Sequence, residues 1–130
     1  MIKKILLTAT TLGLIAIIIG PFGAHGLKPK ISPNQFESFQ TGVTYQMYHA
    51  LFLLFLGSTT KVSQKMKYMI FYFIILGVIC FSGSIYLLAT NDLTAFNFKS
   101  IWFITPLGGL LLIMGWAVLL FGIFKYKEKE

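Results

Sequence analysis

Two histidines, His25 and His49, have the widest chemical repertoire in this chain, because a neutral imidazole can ligate haem or a metal and exchanges a proton near neutral pH. Hydroxyl and amide groups accompany them: Thr41, Tyr45, Gln46, Tyr48, Ser82, Ser84, Tyr86 and Thr105. These residues form one candidate polar cluster, able to hold a ligand or to tie helices together. The acidic residues that would turn it into an enzyme lie elsewhere, since Glu37, Asp92, Glu128 and Glu130 fall in links or the tail. No nucleophile, acid and base converge in sequence, and neither a phosphate-binding loop nor metal-ligand spacing is present. No enzymatic activity is therefore expected, and no catalytic residue, resident metal or cofactor is assigned. Cys80 stands alone and forms no internal disulfide.

The elements that must position these groups are apolar. Four stretches without a charged side chain, about 5–26, 43–60, 68–90 and 101–124, fill most of the 130 residues. Each can cross about 30 Å of hydrocarbon at about 1.5 Å per helical residue, and a backbone in lipid must bond to itself. The expected fold is an all-α membrane protein, a single domain of four transmembrane helices in an up-down-up-down bundle. Hydrophobic residues make up 56% of the chain, and mean hydropathy is +0.78. The first stretch follows Lys3 and Lys4 like a secretory signal, but it continues to Gly26 without a small-x-small cleavage site and is read as a retained span.

All eleven basic residues are lysines outside the apolar stretches. Lys3, Lys4, Lys61, Lys65, Lys67, Lys125, Lys127 and Lys129 share one side of a four-pass topology, whereas Lys28, Lys30 and Lys99 share the other. The positive-inside rule then puts both termini and the middle link in the cytoplasm. The +7 charge is read as a topology signal and a contact for anionic headgroups, not as a nucleic-acid footprint.

Local signals refine the elements. Ser32-Pro33 followed by Gln35 predicts a helix start with a capping box, so the second helix begins near Pro33. Phe36 and Phe39 are expected at headgroup depth as an interfacial turn, with a bend at Gly42. Pro21 predicts a kink, and Ala9, Gly13, Ala16, Gly20 and Ala24 form a ridge for close helix approach. Gly77, Cys80 and Ser84 make a second such seam, and Gly108 and Gly109 permit close approach on the last helix. At about 100° per residue, Thr41, Thr44, Tyr45, Tyr48 and His49 fall within roughly 140° of one another, an arc expected to face the bundle. His25 is expected at headgroup level, and His49 as a buried donor to a carbonyl or hydroxyl.

Four ordered motifs carry a family resemblance: Gly20-Pro21-Phe22-Gly23-Ala24-His25-Gly26-Leu27, Thr41 through Leu51, Phe81-Ser82-Gly83-Ser84-Ile85-Tyr86, and Thr105-Pro106-Leu107-Gly108-Gly109 with Gly115-Trp116. From about Gly20 to Trp116 the chain resembles the small membrane proteins of domain of unknown function 423, a family that includes the eukaryotic transmembrane protein 256. Pro21 departs from the pattern, where a small residue such as alanine is expected. The resemblance implies a four-helix integral protein of the bacterial inner membrane. It brings no established activity, so no catalytic residue carries over.

The expected function is that of a non-enzymatic accessory or structural component that associates with itself as a homo-oligomer or with a larger membrane complex, with the lipid bilayer as its constant partner. The alternative is a binding protein for a lipid, quinone or haem in the outward-facing cluster. Transport ranks below both, because no carboxylate lies in the apolar stretches and proton coupling would fall to His49.

Overall fold

The structure is a computed structural model that describes residues 1–95 and 97–129; Phe96, in the expected last link, and Glu130, in the tail, lie outside the described residues. Its segments are helical throughout: α1 (Ile2–Phe22), α2 (Pro33–Ser58), α3 (Gln64–Val78), α4 (Ser84–Ala89) and α5 (Ile104–Lys125). A π-helical turn, Gly23–Leu27, and a 3-10 turn, Lys28–Lys30, prolong α1 into one rod. A second π-helical turn, Ile79–Gly83, joins α3 to α4 in another. The rods Ile2–Lys30, Gln64–Ala89 and Phe98–Lys125 are long and apolar enough to cross a membrane. The polar α2 is not among these three, although it has 26 residues.

Local chemistry explains the boundaries. Ser32 caps α2 reciprocally: its hydroxyl accepts from the Gln35 N–H at 3.2 Å, and its own N–H donates to Gln35 Oε1 at 2.9 Å. Ser63 caps α3 by accepting from the Met66 N–H at 3.3 Å. Pro21 has no N–H for the Ile17 carbonyl, and the ladder widens just beyond it, where the Lys28 N–H bonds the Gly23 carbonyl five residues back. Pro106 sits in the first turn of α5, where a missing donor costs nothing.

Glycines set how closely the rods approach. Along the antiparallel pair α1–α2, Gly57 faces Ile5 and Leu6, Gly13 faces Ala50 and Met47, Gly20 faces Val43, and Gly23 faces the Phe39 ring. The small-residue ridge of α1 is thus occupied by α2. Its mate, α5, lies on α3: Gly77 faces Leu112, Gly115 faces Ile74 and Gly122 faces Met66. The tightest approach is at Gly108, where a Cβ would run into the Phe81 nitrogen and lie 2.7 Å from the Cys80 carbonyl carbon. The second seam is therefore filled by α5.

The interior is layered. Towards the end that holds the termini, Ile5, Ala9, Leu53, Phe71, Ile74 and Leu119 belong to a large apolar cluster. Towards the far end, Leu27, Phe36, Phe39 and Ala89 form a smaller one. Buried Gln46, His49, Ser82 and Ser84 lie on the stretches of helix between these clusters. Two expectations are corrected here. Phe36 and Phe39 are buried rather than interfacial, because Gly23 and Ala89 open a slot for them, and α2 runs through Gly42, which receives Tyr86 and Ile85.

Candidate functional site

Gln46 is 4% exposed and joins three elements. Its amide nitrogen donates to the Leu12 carbonyl of α1 at 2.9 Å, and its amide oxygen accepts from the Tyr86 hydroxyl of α4 at 2.7 Å. Glycine at position 42, one turn earlier on α2, lets the Tyr86 ring lie against the helix and bring its hydroxyl within reach. Each partner thereby meets a need that lipid could not.

His49 is 3% exposed, and both ring nitrogens have partners. Nδ1 lies 2.7 Å from the Tyr45 carbonyl, and the Trp116 indole N–H donates to Nε2 at 3.1 Å. An indole only donates, so Nε2 must present its lone pair and Nδ1 must carry the proton. The pair defines a neutral imidazole in one tautomer, its proton donated to a carbonyl as expected from the sequence. It also engages the lone pair that an axial haem ligand would use. His25, on the π-helical turn after α1, is exposed and makes no second ligand beside it.

The turn Ile79–Gly83 re-aims the serines. Ser82, 1% exposed, donates to the Gly42 carbonyl of α2 at 2.8 Å. Ser84 donates to the Phe81 carbonyl at 3.0 Å and shares a hydrogen bond with the Thr105 hydroxyl of α5. No described, fully buried side-chain nitrogen or oxygen is left without a partner.

Six of the ten candidates, Gln46, His49, Ser82, Ser84, Tyr86 and Thr105, thus form side-chain bonds, five of them between helices. The other four do not join them. Thr41 is exposed and donates to the Glu37 carbonyl of its own helix, while Tyr48 is 55% exposed with its ring edge against Tyr45. Tyr45 lends the network only its carbonyl and is 41% exposed. The expected inward arc on α2 is therefore corrected: Thr41, Thr44, Tyr45 and Tyr48 face outward, and Gly42, Gln46, His49 and Leu53 face inward. Rotation is governed by close approach at Gly42 and Gly57, which a tyrosine stripe could not permit.

Outside the network, α2 and α5 flank a cleft of about 680 Å³, lined by Tyr45, His49, Phe81, Gly109, Trp116 and Leu120 among others. Phe81 also lines a second cavity of about 540 Å³ at the far end, where Gln35, Ser38, Thr41, Trp102 and Thr105 gather. Sequence reasoning named Trp116 and Phe81 within the family motifs, without assigning Trp116 as the His49 donor or Phe81 to a cavity wall. It also read Lys67 as a link residue, whereas the structure buries that side chain to 2% exposure in the first turn of α3. Among the described residues, no group of three or more His, Cys, Asp and Glu converges.

A family model described as a protein of unknown function (DUF423) matches residues 19–109. The chain is 39% identical over 115 residues to a UPF0382 membrane protein of Staphylococcus saprophyticus, covering 86% of this chain and 89% of the relative. It is 38% identical over 113 residues to another of Staphylococcus aureus, covering 87% and 88%. Against the UPF0382 inner membrane protein YgdD of Escherichia coli it is 33% identical over 131 residues, covering 98% and 94%. No solved structure matches.

Proposed function

From the premise that this chain belongs to the DUF423 family of membrane proteins, we propose that it is a four-pass, non-enzymatic accessory component of the bacterial inner membrane. One observation carries this reading: the buried polar side chains at the centre of the bundle, Gln46, His49, Ser82 and Ser84, are all engaged in hydrogen bonds to other helices or to their own backbone. Large apolar side chains cover the outside instead, among them Leu14, Ile17, Ile113, Leu120 and Phe124. Such a surface suits lipid and the flanks of neighbouring membrane helices.

The fourth span is α2. Its contacts run the length of α1, from Gly57 beside Leu6 to Phe39 beside Gly23, so α2 occupies the same depth as a rod long enough to cross. Its polar groups are affordable there because Gln46 and His49 are satisfied internally. With the lysines sorted as described, the termini and the middle link lie in the cytoplasm. Lys4 over Tyr72 at 5.7 Å and Lys61 over Tyr126 at 4.4 Å gather cations and rings at that end.

Purification in gentle detergent, followed by cross-linking and identification of co-purifying chains, tests the accessory reading. A reproducible membrane-protein partner or a homo-oligomer is expected. Recovery of only the monomer at native expression levels would overturn it. A second reading, a binding protein for an amphiphile, is favoured by the cleft between α2 and α5. Haem fits that reading poorly, since both His49 nitrogens are engaged.

A further inference from the structure

We propose that the cleft between α2 and α5 binds an isoprenoid quinone, its ring held at Tyr45 and Phe81 and its chain laid along Ile113, Ala117 and Leu120. This rests on the amphiphile-binding reading and names the class of ligand.

The lining selects an uncharged molecule. Among the described residues neither the cleft nor the second cavity that Phe81 also lines contains a lysine, so no cation there would neutralise a phosphate headgroup. The polar end selects a flat head that accepts hydrogen bonds. Tyr45 and Phe81 stand with ring centroids 5.1 Å apart, and Trp116 lines the cleft beside them. Aromatic walls favour a stacked or tilted ring over a branched polar head. The Tyr45 hydroxyl has no hydrogen-bond partner among the described residues, and Tyr45 lines the cleft. A quinone carbonyl is an acceptor that would satisfy it.

Space is available where the ring would lie. Gly109 lines the cleft, and its neighbour Gly108 takes the backbone contact with Phe81. A Cβ on Gly109 would stand 3.8 Å from the Phe81 ring, an ordinary contact, so glycine here leaves room rather than relieving a clash. The cleft, at about 680 Å³, is within the range of about 300–1,000 Å³ found for small-ligand sites.

The test uses the full chain in nanodiscs and decylubiquinone as probe, read by quenching of tryptophan fluorescence. Saturable quenching is expected for the native chain. Gly109→Leu, which fills the cleft, should abolish the saturable component, and Tyr45→Phe should weaken binding about threefold to tenfold by removing one hydrogen bond. Trp102 is present in all three chains and contributes a common background. The proposal is overturned by quenching that rises linearly and equally in all three, which is partition into lipid alone. Saturable quenching that survives Gly109→Leu overturns it too, by placing the site elsewhere. If a diacylglycerol probe saturates the cleft and decylubiquinone does not displace it, the quinone assignment fails while amphiphile binding stands. If neither probe saturates, both fail.

Discussion

His49 and Gln46 act through their partners. Replacing His49 by alanine opens a cavity and leaves the Trp116 indole and the Tyr45 carbonyl without their side-chain partner. Buried groups left unpaired cost about 1–3 kcal/mol, so His49→Ala should lower the detergent melting temperature by several degrees, while Lys127→Ala in the exposed tail should leave it unchanged. Equal melting of the two variants would refute that ranking. The Gln46–Tyr86 bond can be isolated by a double-mutant cycle of Gln46→Leu and Tyr86→Phe in graded denaturant. A coupling near 0.6 kcal/mol is expected, the mean for interhelical bonds in membranes, and zero would remove the bond from the account. The histidine's role as a buried donor was legible because lipid forces a polar ring to find a partner. Its tautomer was not, because that depends on an indole 67 residues away.

At the scale of elements, the neighbouring glycines of α5 make the sharpest contrast. Alanine is favoured over glycine in a helix by about 0.8–1.0 kcal/mol, so Gly109→Ala, which meets only open space and a ring at 3.8 Å, should be neutral or slightly stabilising. Gly108→Ala gains the same propensity but drives a methyl into the backbone of Phe81, which has no rotamer by which to yield. Overpacking of that kind costs about 1–3 kcal/mol or more, so the clash should win and the variant should melt well below the native chain. Matching melts for the two alanine variants would show that α5 does not rest on the turn Ile79–Gly83 as described. The adjacency Gly108-Gly109 advertised close approach, yet only the rotation of α5 decides which glycine meets backbone and which faces the cleft. Similarly, the Ser32 capping box and the disturbance after Pro21 could be read from a few residues, whereas nothing local announced the widened turn Ile79–Gly83, against which Gly108 packs.

For the whole molecule, the decisive quantity is sidedness. In a Cys80→Ser background, a cysteine at Lys65 or Tyr126 should resist an impermeant thiol reagent applied to intact cells, and one at Lys99 should react. Labelling of the Lys65 cysteine from outside would invert the topology and detach the lysine pattern from it. The layered interior explains why three apolar rods and the more polar α2 stay together with no described disulfide. Glycine contacts hold the pairs α1–α2 and α3–α5, and the hydrogen bonds of Gln46, Ser82 and His49 hold one pair to the other.

Hydropathy, capping and ordered residue motifs are properties of short stretches of chain, and they were enough to determine an all-helical membrane protein, the start of α2 and the family it resembles. Helix rotation is not local. The tyrosines of α2 looked inward by periodicity, but long side chains with polar tips tolerate the outside of a bundle, whereas only glycine tolerates another backbone. The inward face therefore went to Gly42 and Gln46, Tyr45 was left along an open cleft and Tyr48 on the outside, and the chemistry available to each was decided by packing between segments distant in sequence.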